Sequence, residues 1–241
     1  MPSTRPDGDE RDKPAARRAV RRGMLGMAGY LLVLAASMFL PAGRLGWTRG
    51  WAFLVAFTVL NLAAVCYLWR TNPEVVVARS TPHRGTKPWD KALFLLINVM
   101  FLAIFPIAAL DDARFHWSAA PLWLTLAGYV LFVAAMAGIT WVLRTNKFAE
   151  PSVRIQTERH HQVIDTGPYA IVRHPFYAAA FLLCGGMPLA MGSLWALVPG
   201  AVAALLLIVR TACEDRTLHN ELDGYKQYAA RVRYRLIPGV W

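Results

Sequence analysis

Charge is scarce in this chain. Of its 241 residues only 17% are Asp, Glu, Lys or Arg, while 56% are hydrophobic. Soluble domains carry about 25% charged residues, so one or two ordinary soluble domains are not expected. A disordered chain is excluded too, because it needs few apolar residues and many charges. Cysteine is nearly absent. Cys66, Cys184 and Cys213 are too few for a disulfide scaffold and read as small core residues in or beside helices. The phosphate-cradling patterns G-x-x-x-x-G-K-[ST] and G-x-G-x-x-G are missing, so neither a P-loop enzyme nor a Rossmann-type dinucleotide or methyl-donor domain is indicated. H-E-x-x-H and C-x-x-C are also missing. His160, His161 and His174 lack tetrahedral ligand spacing, and no metal site is expected. Acidic residues are the scarcer sign, 15 against 26 basic, which gives a net charge of +11. That number alone fits nucleic acid, anionic lipid or the charge asymmetry of a membrane protein. The basic N-terminal tail has no interleaved aromatics for base stacking, so nucleic acid is not an expected partner.

What is abundant is apolar sequence in runs. Six uncharged stretches cover residues 24–43, 51–69, 92–110, 119–143, 175–191 and 193–209, with Asn61 and Asn98 as their most polar members. A hydrocarbon core of about 30 Å needs about 20 such residues per helix. The first four runs suffice. The last two are shorter and interrupted by Pro188, Gly192 and Pro199, and read as two short or tilted helices joined by a tight turn; one long bent helix is the alternative. Sorting the basic residues by loop places 23 of 26 on one side. By the positive-inside rule both termini are cytoplasmic. Residues 24–43 are longer than a signal-peptide core and read as a retained helix. The expected fold is an all-α, polytopic integral membrane protein with about six transmembrane helices and a C-terminal amphipathic interfacial helix. That last helix is expected over residues 214–233, where Leu218, Leu222, Tyr225, Ala229 and Val232 recur at steps of three and four. The expected division is a disordered basic tail (1–22), four N-terminal membrane helices (23–143) and a catalytic region (144–241).

Ionisable residues inside membrane helices mark ion paths and proton relays. These runs have none, which argues against a channel or a proton-coupled transporter and leaves a carrier of neutral substrates open. Chemistry is expected at the cytoplasmic edge, in residues 144–177 and 210–241. Gly167-Pro168 signals a turn. Pro175 suits a first helical turn, so Arg173 and His174 would sit at a helix N-terminus, which attracts a carboxylate. Taken singly, Arg173, His174, Tyr169 and Tyr177 also read as interfacial anchors. Arg210 and Glu214 are four apart on one helix face and read equally as a surface ion pair.

In their order and spacing, these two clusters resemble the isoprenylcysteine carboxyl methyltransferase family, its bacterial relatives and the related phospholipid methyltransferases. The resembling part runs from His161 to Trp241: Gly167-Pro168-Tyr169, then Arg173-His174-Pro175-Phe176-Tyr177, a helical hairpin, Arg210 and Glu214-Asp215, then Tyr225, Tyr228 and Arg231 through Trp241. The resemblance implies a membrane enzyme using S-adenosylmethionine. It implies cofactor contacts from Gln156, His161, Gln162, Val163, Ile164, Tyr169, His174, Pro175, Tyr177 and Glu214, and substrate contact from Arg210, with Arg210 and Glu214 closest to catalysis. Many family members carry Gly shortly after H-P-x-Y, where this chain has Ala178-Ala179. Implied partners are a lipid-like or prenylated small-molecule substrate and the lipid bilayer; the implied location is a bacterial inner (cell) membrane. The chemistry fits: a carboxylate nucleophile is ionised at neutral pH and needs no base, and Arg offers it a bidentate fork. Glu214 would offset the cofactor's positive charge, and His174 with the helix start would receive its carboxylate. Three alternatives stand beside this reading. A phospholipid amine N-methyltransferase would need a base, His161 or Glu214. An NADPH-dependent sterol-reductase-like membrane enzyme shares the architecture, although Pro175 favours the methyltransferases. A non-enzymatic membrane scaffold would tolerate loss of Arg210 or Tyr177.

Overall fold

A computed structural model of the chain describes residues 13–80 and 85–241. Among the described residues there is no strand. Eight helices follow in order: α1 (Lys13–Ala42), α2 (Thr48–Thr71), α3 (Pro73–Ser80), α4 (Pro88–Ala108), α5 (Leu122–Thr145), α6 (Pro175–Ala190), α7 (Leu197–Glu221) and α8 (Tyr225–Arg231). Each apolar run falls on one helix. By length and composition α2, α5, α7 and α4 with its extension to Phe115 can cross a membrane, whereas α6 and the 26–42 part of α1 are shorter apolar helices. Large apolar side chains such as Leu32, Val130 and Leu205 point outward, 63–71% exposed, as a lipid-facing surface requires. The interior between α1, α2, α4 and α5 is built on Met38, Phe53, Ile104 and Phe132.

The last two runs are two helices, not one bent helix. They are joined at Met191–Ala196, where Gly192 adopts φ +78°. The closest helix pair is α5 with α6. A Cβ on Gly128 would overlap the backbone at Leu189–Ala190, and one on Gly138 would lie 3.0 Å from the Ala179 Cβ. Small residues allow this approach. Gly138 therefore supplies, from the facing helix, the room that a glycine in place of Ala179 would have given.

Helix α4 is bracketed by two fully buried carboxylates, Asp90 and Asp111. They are 21 residues apart, roughly 31 Å along an ideal helix, close to the thickness of a hydrocarbon core. Past Pro106 the helix continues as a π segment, Ala109–Phe115. Within that segment Asp111 accepts hydrogen bonds from the Ser118 backbone N–H (2.7 Å), the Ser118 hydroxyl (2.6 Å) and the Ser193 hydroxyl (2.5 Å). This ties the end of α4 to the α6–α7 turn.

Two expectations are corrected. Helix α1 begins at Lys13, so the second half of the tail read as disordered is helical, while residues 1–12 lie outside the described residues. The single amphipathic helix over 214–233 does not form. Its first part is the end of α7, the chain turns at Gly224 (φ +81°), and α8 has only seven residues. Leu222, Tyr225 and Tyr228 are buried against Ile155 and Val163 of the α5–α6 connection. Their spacing reflects packing on a loop, and Asp223-Gly224 is the turn signal that breaks the helix.

Candidate active site

The site end is assembled by one acid. Asp215, 1% exposed on α7, accepts from the Arg173 Nε (2.9 Å) and Nη2 (3.2 Å), the Arg235 Nε (2.8 Å) and the Tyr225 hydroxyl (2.9 Å). His174 Nε2 lies 3.1 Å from it. The backbone N–H groups of Arg173 and His174 donate to the Tyr234 and Arg235 carbonyls, both at 2.9 Å, and Arg173 Nη1 donates to the Val232 and Arg233 carbonyls. The segment before α6, the end of α7 and the C-terminal stretch are thus one unit. Pro175 takes the first turn of α6 as expected, with His174 as the residue before it.

Beside this unit lies a cavity of about 370 Å³, within the ~300–1,000 Å³ of small-molecule sites. Every residue expected at the site lines it except Pro175, which is buried at the start of α6. Gln156, His161–Ile164 and Tyr169 form one wall, His174 with Tyr177 of α6 another, and Arg210 with Glu214 of α7 a third. Beyond Arg210 the lining turns apolar, with Ile97 and Phe101 of α4, Ala180 and Leu183 of α6 and Leu207 of α7.

Arg210 and Glu214 do not pair with each other. Arg210 Nε donates to Asp90 (2.8 Å) and Nη2 to the Pro151 carbonyl (2.6 Å), while its guanidinium lies 5.4 Å from the ring centres of Phe94 and Tyr177. Asp90 also accepts the Val153 N–H at 2.7 Å. Glu214 instead accepts a hydrogen bond from the Tyr177 hydroxyl, and His174 Nδ1 lies 4.0 Å from it. No Lys or Arg among the described residues forms an ion pair with Glu214. His174 stands between two carboxylates, so its ring is not placed to receive a third one.

The loop wall is braced internally. The Gln156 amide is spent on the Phe148 carbonyl (2.7 Å) and Arg159 (2.8 Å). Glu150 holds Arg154 through both carboxylate oxygens. His161 lies against the Phe148 ring, and its Nδ1 accepts the Gln156 backbone N–H at 3.4 Å. Burial pushes its imidazole down to about 4, against the pull of Glu150. Tyr169 accepts from the Asn146 amide at 2.8 Å, and burial raises its phenol above the ordinary value.

Sequence reasoning missed Asp90, Arg79, Phe94, Ser152 and the gathering role of Asp215. Only Asp90 carried a local signal, an acid in the first turn of a helix opened by Pro88. A search of curated proteins gave no match. Residues 123–220, which span α5, α6 and nearly all of α7 with the connection between them, match the model of the Isoprenylcysteine carboxyl methyltransferase (ICMT) family.

Proposed function

We propose that the chain uses S-adenosylmethionine to methylate the carboxylate of a lipid-like, isoprenylcysteine-like acceptor. The observation that carries this reading is one cavity with a carboxylate that has no arginine or lysine partner among the described residues at one place, guanidinium groups at another and an apolar continuation between membrane helices. The lining fits the cofactor's groups. Glu214 can offset a sulfonium or ammonium, and the buried Ser152 Oγ, without a hydrogen-bond partner among the described residues, can take a polar atom.

S-adenosylmethionine held by Glu214 and the 156–164 loop would supply an electrophilic methyl group for an ionised acceptor oxygen, with its neutral thioether as the leaving group and no base required of the chain. The chain's residues orient and enclose. Tyr177 fixes Glu214, Asp215 fixes the strand-like pair of Arg173–His174 with 234–235, and Phe148 with the 156–164 loop lines the polar end. Arg210 stands where polar lining gives way to apolar, the boundary at which the head of an amphiphile would sit. The charge sort supports a placement with both termini on the cytoplasmic side, and the resemblance supports a bacterial inner membrane. Residues 144–241 would carry most of the cofactor contacts, with α3 and α4 closing the acceptor side.

Titration of the purified chain with S-adenosylmethionine tests the reading. Micromolar binding that Glu214→Gln weakens about tenfold or more supports it; no binding, or binding indifferent to Glu214→Gln, rejects it. A phospholipid amine N-methyltransferase is the second reading, favoured by Glu214, a carboxylate on the cavity wall that can hold an ammonium and accept its proton. Labelled products separate the two, because methyl esters are released by base and methylamines are not.

A further inference from the structure

Each charged group lining the cavity has an oppositely charged partner on or behind its wall, with two exceptions. Arg173 pairs with Asp215, Arg210 with Asp90 and Arg154 with Glu150. Glu214 has only the Tyr177 hydroxyl and the more distant His174. The other exception is Arg79, on the short helix α3. Its guanidinium donates to the Ala149 carbonyl at 3.2 Å and lies 5.3 Å from the centre of the Phe176 ring. No carboxylate among the described residues pairs with it. A half-buried guanidinium without an anion is costly unless a ligand supplies one. Burial, and then the neighbouring positive charge of Arg210, push Arg79 below the ordinary arginine range.

We propose that Arg79 is the acceptor-carboxylate-binding residue of this cavity, with the Asp90-neutralised Arg210 as its neighbour. The inference rests on the methyltransferase reading and names the residue that gives it an anionic acceptor. The position favours the acceptor's carboxylate over the cofactor's. Arg79 caps Phe176, which packs both with the Leu68–Val75–Leu143 cluster and with the Ile97–Ala180–Leu207 cluster that lines the apolar limb. A carboxylate held there would have its apolar chain beside α4, α6 and α7. The guanidinium's one backbone bond leaves most of its donors unspent, enough for a bidentate grip.

The test is direct binding to the full chain in detergent, using N-acetyl-S-farnesylcysteine and its uncharged methyl ester as the acceptor pair and sinefungin as the cofactor probe. The wild-type chain should prefer the acid roughly ten- to a hundredfold. Arg79→Gln should abolish that preference while sinefungin affinity stays within about twofold, which also shows that the site is folded. Arg79→Lys, which keeps the charge without the fork, should retain part of it. The proposal is overturned if the wild-type chain shows no acid preference, if the preference survives Arg79→Gln, or if Arg79→Gln weakens sinefungin instead. Failure of the wild-type chain to bind sinefungin at all would sink the methyltransferase reading, while the acid–ester comparison would still decide the role of Arg79.

Discussion

Arg210 Nε lies 2.8 Å from the Asp90 carboxylate, 120 positions away in sequence, and not on Glu214 one turn further along its own helix. The pairing frees Glu214 and cancels the charge of Arg210. It also locks α4 to α7 at the depth of the cavity.

Removing Asp90 should therefore act on stability first. Asp90→Ala leaves Arg210 buried without its partner and orphans the Val153 N–H. Breaking a buried pair in this way costs about 3–5 kcal/mol. Thermal unfolding in detergent should show a clearly lowered midpoint. A midpoint unchanged from wild type would mean that Arg210 is not held by Asp90.

Asp215→Asn should loosen the C-terminal stretch. Arg173, Arg235 and Tyr225 all converge on this carboxylate, and an amide can neither neutralise two guanidiniums nor accept all their bonds. Brief trypsin treatment should cut faster near Arg233 and Arg235 in the variant than in wild type. Equal cutting rates would contradict the gathering role assigned to Asp215.

His161 gives a pH signature. Its folded value is about 4, below the ordinary 6.5, so between those values the unfolded chain binds more protons than the folded one. This contribution to stability is complete above about pH 6.5, falls as the pH drops through the window and levels off below about pH 4. Protonation would also remove the Nδ1 acceptor of the Gln156 N–H. Between pH 7 and 5 the melting temperature of wild type should fall more steeply than that of His161→Gln. Parallel slopes would place His161 in a more solvated setting than the one described.

Local signals carried the sequence reading a long way. The six apolar runs became six helices because composition over 16 or more residues is enough to specify a lipid-facing helix. Gly167 adopts φ +58° and Pro175 opens α6 because turn residues encode their own backbone. The candidate residues meet at one cavity because two short motifs sit on the facing ends of α6 and α7. What the sequence did not disclose is long-range. Nothing near Asp90 points to Arg210, and nothing near Arg79 points to a cavity most of whose lining lies 60 or more residues on. The 218–232 periodicity misled because burial against the 155–163 connection produces the same spacing as burial in lipid.

The cavity draws its walls from two stretches of chain. Tyr169, His174, Tyr177, Arg210 and Glu214 lie within the segment 123–220 that matches the family, while Arg79, Phe94, Ile97 and Phe101 come from α3 and α4, outside it. On the proposed reading, the machinery that handles the methyl donor and the surface that selects the acceptor are separately heritable. Substitutions in α3 and α4 could redirect the enzyme to a new lipid acid while leaving the donor half of the site intact.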